Sequence, residues 1–253
     1  MENQNYTIAE DYELPSKGQI YPVPFDGKVK LRSMTVAEEM KRLNQGKSLN
    51  ATLCEIIDAC LITKLPLSAY DLAAPDYEYL LHKLRVVTYG PDYKMLVGCP
   101  HCGKQQEYTA NLDELKLKEF NVEEYKNNLT FKLPVCKKEI KLRIPTPRLQ
   151  DTIQDKTENF NKEAKNFDGD ISPLFTLETV IDSVDGSKMS YIELQELIKH
   201  MSAADYNYII QKLEKVNNAF GLDKKIDLKC NKCGGSFSTF FRFTSEFFRP
   251  TID

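Results

Sequence analysis

The chain has 253 residues, with 34 Lys+Arg against 37 Asp+Glu, a formal net charge of −3, and a hydrophobic fraction of 42%. That apolar content supplies a sizeable core and excludes global disorder. The slightly acidic balance argues against a general nucleic-acid binder, which needs a dense cationic surface, and no run approaches the ~18 apolar residues of a membrane span.

In chain order, the first residues are polar and acidic, with neither the basic start nor the apolar run of a signal peptide, so a cytoplasm is the expected compartment. Leu14-Pro15 opens a turn. Val29-Lys30-Leu31-Arg32 reads as a short strand, and Thr35 is placed to cap a helix after it. Cys54 and Cys60 lie in an apolar helical stretch as small core residues. Pro75 suits the first turn of the next helix, whose apolar positions Tyr77, Leu80, Leu81, Leu84 and Val87 fall on one face. Met95-Leu96-Val97 and Gln106-Glu107-Tyr108 then flank Cys99-Pro100-His101-Cys102-Gly103 as the arms of a hairpin.

The same order recurs downstream. Leu133-Pro134 repeats Leu14-Pro15, and Ile140-Lys141-Leu142-Arg143 repeats the strand, with Thr146 as the matching cap. The segment starting at Leu177 repeats the segment starting at Leu53. Tyr206, Ile209, Ile210, Leu213 and Val216 repeat the helix face, with Ser202 and Asp205 as its capping residues. Cys230-Asn231-Lys232-Cys233-Gly234 closes the second copy between Ile226-Asp227-Leu228 and the run from Phe237 to Phe243. The expected fold is therefore α+β. It is a tandem pseudo-twofold repeat of short strand plus helices, each copy ending in a C-x-x-C hairpin, with copies at residues 1–126 and 127–253. Residues 157–170, diluted by Asn, Lys, Asp and Gly, are expected to be the least ordered.

Cys99, Cys102, Cys230 and Cys233 have the ligand type and local spacing of a structural four-thiolate zinc site, and the Gly after each pair permits the turn beneath the metal. The pairs are far apart in sequence, but duplication gives each half one equivalent hairpin. One zinc-ribbon-like site holding one Zn2+ per chain is expected. The competing redox reading of Cys99-Pro100-His101-Cys102 needs a helix N-terminus to lower the thiol pKa, and the residues after Gly103 have no helical face. A closed four-thiolate shell leaves no position for an activated water, so it cross-links rather than catalyses.

The phosphate-loop, dinucleotide-binding, zinc-protease and nucleophile-elbow patterns are all absent. His82 and His200 are expected on helix surfaces or partly packed, and His101 at an exposed knuckle tip. No catalytic residue is assigned. Phe247-Phe248-Arg249-Pro250 lies past the last hairpin, and an ordered apolar terminus needs a surface to bury against. Phe247, Phe248, Arg249 and Pro250, together with Leu14, Pro15 and Tyr21, are the expected partner-binding residues.

Leu14-Pro15-Ser16-Lys17-Gly18 with Tyr21-Pro22, then Leu31-Arg32-Ser33-Met34-Thr35, Leu84-Arg85 before Tyr89-Gly90, the paired knuckles and the closing Phe247-Phe248-Arg249-Pro250 resemble, in that order, the baseplate hub assembly proteins of T4-like contractile-tailed phages. The resemblance implies a non-enzymatic hub component or assembly factor. It also implies other hub or tail proteins as partners, oligomers set by tail symmetry, and a location in the host cytoplasm during assembly or in the virion baseplate. The alternative from the residues is a zinc-ribbon nucleic-acid-binding protein using Lys229, Lys232 and Arg242 on phosphates, which the global charge opposes.

Overall fold

A computed structural model describes residues 7–44, 48–164, 168–241, 243 and 245–248. Among these the chain forms eight α-helices and eleven short strands, an α+β arrangement whose sheets hold only two or three strands. The first half runs β1 (Ala9–Glu13), β2 (Lys28–Arg32), α1 (Val36–Arg42), α2 (Leu49–Cys60), a 3-10 turn, α3 (Ala74–Tyr89) and the hairpin of β3 (Asp92–Gly98) and β4 (Gln105–Asn111). A linking stretch holds β5 (Leu117–Lys118) and α4 (Val122–Leu129). The second half runs β6 (Thr130–Lys132), β7 (Glu139–Leu142), α5 (Pro147–Glu163), α6 (Ser172–Val180), β8 (Ile181–Val184), α7 (Tyr191–Lys199) and α8 (Ala203–Asn217). It ends in β9 (Gly221–Leu222) and the hairpin of β10 (Lys225–Lys229) and β11 (Ser236–Phe240).

The helix starts follow side-chain chemistry. Thr35 and Glu38 form a capping box on α1, Thr146 accepts from Leu149 N–H with Pro147 opening α5, and Ser202 accepts from Asp205 N–H at α8. Arg32 reinforces the first cap through paired bonds to Glu38, and this pulls the Glu38 carboxyl down to about 2. The strands β5 and β9 pair antiparallel and tie the linking stretch to the end of α8. Gly221 is required there: its φ is +90° and a side chain would strike Pro75 of α3.

Several contacts recur in the two halves. Leu14 N–H donates to Gly27 O, as Leu133 N–H does to Lys138 O. Arg32 donates to Ala59 O, as Arg143 donates to Thr179 O, each closing the last turn of a helix. Leu31 pairs with Leu61, as Leu142 pairs with Ile181. Asp76 and Asp205, both buried in the first turn of their helices, accept N–H bonds from the turn after Leu-Pro. The donor is Ser16 at 3.0 Å for Asp76, and Val135 and Cys136 at 2.8 and 3.1 Å for Asp205. These contacts correct one register. Ile57, not Leu53, answers Leu177, because Leu61 and Ile181 cap their helices on Ile57 O and Leu177 O. An apolar helix face looks alike after one turn, which is why pattern alone slips there.

Two hydrophobic cores result. The first gathers Leu31, Ile56, Leu80 and Leu84 from the first half but also Val216, Phe220, Leu222, Phe241, Phe247 and Phe248 from the second. The second core, built on Phe131, Ile140, Leu177, Val180 and Ile209, is smaller. Helices α3 and α8 accordingly differ in surroundings: the predicted face of α3 is wholly buried, whereas on α8 only Ile209 and Val216 of that face are.

Other expectations are corrected. Phe247 and Phe248 are 0% and 2% exposed and present no face to a partner. The surface they bury against is the chain's own: Phe247 packs on Tyr93, Phe241 and Phe243 at ring distances of 5.6, 5.3 and 5.0 Å. Leu14, Pro15 and Tyr21 are buried as well. Asp76 at the start of α3 needs donors, and the Tyr21 hydroxyl supplies one while accepting from Ala73 N–H. Arg249 and Pro250 lie outside the described residues. Residues 157–163, expected to be poorly ordered, continue α5, with the Thr157 hydroxyl bonded to Ile153 O; residues 165–167 lie outside the described residues. His82 is buried, not on a surface, with Nε2 donating to Leu112 O at 2.9 Å, and burial pulls its pKa down to about 4.

Phe247→Ala should lower stability by about 3–5 kcal/mol, the usual cost of emptying a buried aromatic site, read by denaturant unfolding. Glu38 makes a pH-dependent contribution. Its folded pKa lies below the unfolded value, so the stabilisation is full above ~4.5 and disappears as pH falls toward 2. Glu38→Gln should cost about 1–3 kcal/mol at neutral pH, and unfolding curves for the two proteins should converge between pH 4 and 2.

Candidate metal centre

Each knuckle is built by the same backbone bonds. Gly103 N–H donates to Cys99 O and Cys99 N–H to Lys104 O; Gly234 N–H donates to Cys230 O and Cys230 N–H to Gly235 O. The turn closes with Gly103 at φ +70° and Gly234 at φ +72°, the left-handed region that glycine enters without strain. The first hairpin is anchored from below by Arg85. This fully buried side chain donates to Gly90 O at 2.6 Å and Asp92 O at 2.9 Å, joining the end of α3 to the start of β3.

The hairpins bring the four cysteines together. Their sulfurs all lie within 4.8 Å of one another, and Cys99–Cys233 and Cys102–Cys230 are each 3.7 Å apart. A disulfide requires ~2.05 Å. A tetrahedral ion at the zinc–thiolate distance of ~2.3 Å requires sulfurs ~3.8 Å apart, so the spacing fits an ion and not a bond. The two close pairs exchange when the knuckles are exchanged, a twofold relation at the site itself. Cys99 and Cys230 are buried, Cys102 is half-buried and Cys233 exposed.

The electrostatics favour thiolate at Cys230 and oppose it at Cys233. Backbone N–H groups of Cys233 and Lys232 push the Cys230 thiol down to about 6. The Gly235 N–H favours the Cys233 thiolate, but the neighbouring thiols and desolvation outweigh it and push Cys233 up to about 11. This is the pattern of clustered sulfurs that cannot all ionise without a cation among them. No helix N-terminus supports the pairs, so the oxidoreductase arrangement is not built here.

Polar contacts cross between the hairpins. The Gln106 amide oxygen accepts from Asn231 N–H at 3.1 Å, the Tyr108 hydroxyl donates to Lys229 O, and His101 Nε2 donates to Ser236 O at 3.1 Å. His101 is exposed at the knuckle tip, as expected, and His200 is exposed far along the chain on α7's end. In the sequence Gln106 and Tyr108 form only a strand arm; the signal that sets them apart is comparative, since the corresponding positions of the second hairpin hold Phe237 and Thr239. Cys54 and Cys60 are buried in the core and Cys136 is exposed in the turn after Pro134.

Cys99→Ser and Cys230→Ser should each reduce retained metal sharply, and the double variant should retain none. Elemental analysis of natively purified protein measures this, and thermal melts should show a lower midpoint because binding and stability are coupled.

Neither the curated proteins nor the solved structures searched give a significant match. Residues 6–249 match the family model described as T4 bacteriophage base plate protein. With nearly its full length matched, the chain belongs to that family.

Proposed function

We propose that the protein is a non-enzymatic structural or assembly component of a phage baseplate hub, in which one zinc ion staples two copies of a duplicated unit. The observation that carries this is the meeting of Cys99 and Cys102 with Cys230 and Cys233, one pair from each half, in a chain of the base plate family. The duplication, residues 1–126 and 127–253, is supported by the matched contacts of Arg32 with Arg143 and of Asp76 with Asp205. Shared core residues such as Phe220 and Phe247 support one compact unit.

Four thiolates complete a tetrahedral shell, so the ion supplies rigidity, with no open position for water or substrate. A rigid cross-link between remote parts of the chain suits a component that holds its shape within a larger assembly. Its partners are other hub or tail proteins, met in the host cytoplasm during assembly and retained, if a permanent subunit, in the virion baseplate.

Quantitative mass spectrometry of hub assembly intermediates and of purified virions tests this. The protein should be stoichiometric in the intermediates. Its presence in virions identifies a permanent subunit, and its presence in intermediates alone identifies an assembly factor. Absence from both would overturn the hub reading.

A further inference from the structure

The contacts between the two hairpins are one-sided. Gln106 is buried, and its amide oxygen faces the second knuckle, accepting from Asn231 N–H at 3.1 Å and lying 3.7 Å from Cys230 Sγ. Its amide nitrogen donates to the Tyr108 hydroxyl at 2.6 Å, and that hydroxyl donates onward to Lys229 O. The chain Tyr108–Gln106 thus grips the residues immediately before and after Cys230. Both side chains project from the same face of β4, two residues apart. The matching positions of the second hairpin are Phe237 and Thr239, so no reciprocal grip on the first knuckle exists at those positions.

A twofold site needs equal hairpins to offer its metal two equal pairs of sulfurs. Nothing in tetrahedral coordination calls for a polar clamp on one side only. The clamp does something the metal alone does not: it fixes the backbone of the Cys230 knuckle against β4 through Asn231 N–H and Lys229 O. The buried Gln106 amide is costly unless paired, so its contacts hold one geometry.

We infer that Gln106 and Tyr108 are positioning residues of the metal centre, presetting the second knuckle against the first before the ion arrives. This rests on the metal-site reading above. It deepens that reading by assigning the preorganisation of four distant thiols to two named side chains. The ligand is a thiophilic divalent ion, and the effect is on its affinity and ligand field. Residues around metal ligands that fix their orientation typically govern affinity by about 10–100-fold.

The test uses the full-length protein stripped of metal under reducing conditions. Zn2+ affinity is measured by chelator competition, and Co2+ loading is followed by its ligand-field absorption, for wild type, Gln106→Leu and Tyr108→Phe. Gln106→Leu should weaken Zn2+ binding about 10–100-fold and shift the Co2+ bands, reporting altered sulfur geometry. Tyr108→Phe, which leaves the buried amide in place, should shift the same bands with a smaller loss of affinity. The metal-free melt of Tyr108→Phe should remain a cooperative transition, which shows that the variant is folded. Wild-type affinity and unaltered bands in both variants would overturn the inference. If Gln106→Leu fails to fold, Tyr108→Phe decides alone, and unchanged binding and bands in it overturn the inference. If wild type takes up neither ion, the metal-site reading falls, and this inference with it.

Discussion

Four sulfurs within 4.8 Å of one another, drawn from hairpins separated by about half of the chain, impose a strict geometric demand on the fold. Clustered thiolates repel one another, so the arrangement is held by the surrounding fold and is suited to a cation among the sulfurs. Much of the architecture serves that demand. Arg85 fixes the first hairpin to α3, and the β5–β9 pairing carries the chain from α8 toward the second. Tyr93 on β3 meets Phe241 and Phe247, which follow β11, so the bases of the two hairpins share one aromatic core.

Buried carboxylates do comparable work at the helix starts. Asp76 sits where a helix N-terminus favours negative charge. Burial nonetheless pushes its carboxyl up, against the bonds from Ser16 and Tyr21. At Asp205 burial pushes the same way, but the N–H groups of Val135 and Cys136 hold the carboxyl below its usual range. Similar contacts at the starts of α3 and α8 thus carry two electrostatic outcomes. The β1–β2 loop is longer than the β6–β7 loop, and Tyr21 on it enters the Asp76 network.

The sequence made much of this legible. The caps at Thr35, Thr146 and Ser202, the buried face of α3 and the gathering of four cysteines follow from local chemistry and from the matching order of motifs in the sequence. Three things did not. The register of α2 against α6 slipped by a turn because apolar periodicity is degenerate over four residues. Phe247 and Phe248 read as partner-binding residues because their distant neighbour Tyr93 is visible only in three dimensions. Gln106 and Tyr108 look like ordinary strand residues until the second hairpin is placed beside them.

The central claim is a single ion held by one pair of thiolates from each half of the chain. X-ray absorption at the zinc edge, with elemental analysis of the same natively purified protein, addresses it most directly. The account predicts one zinc per chain surrounded by four sulfurs at ~2.3 Å. A metal-free protein with native fold, or a zinc shell containing nitrogen or oxygen in place of any of the four sulfurs, would contradict it.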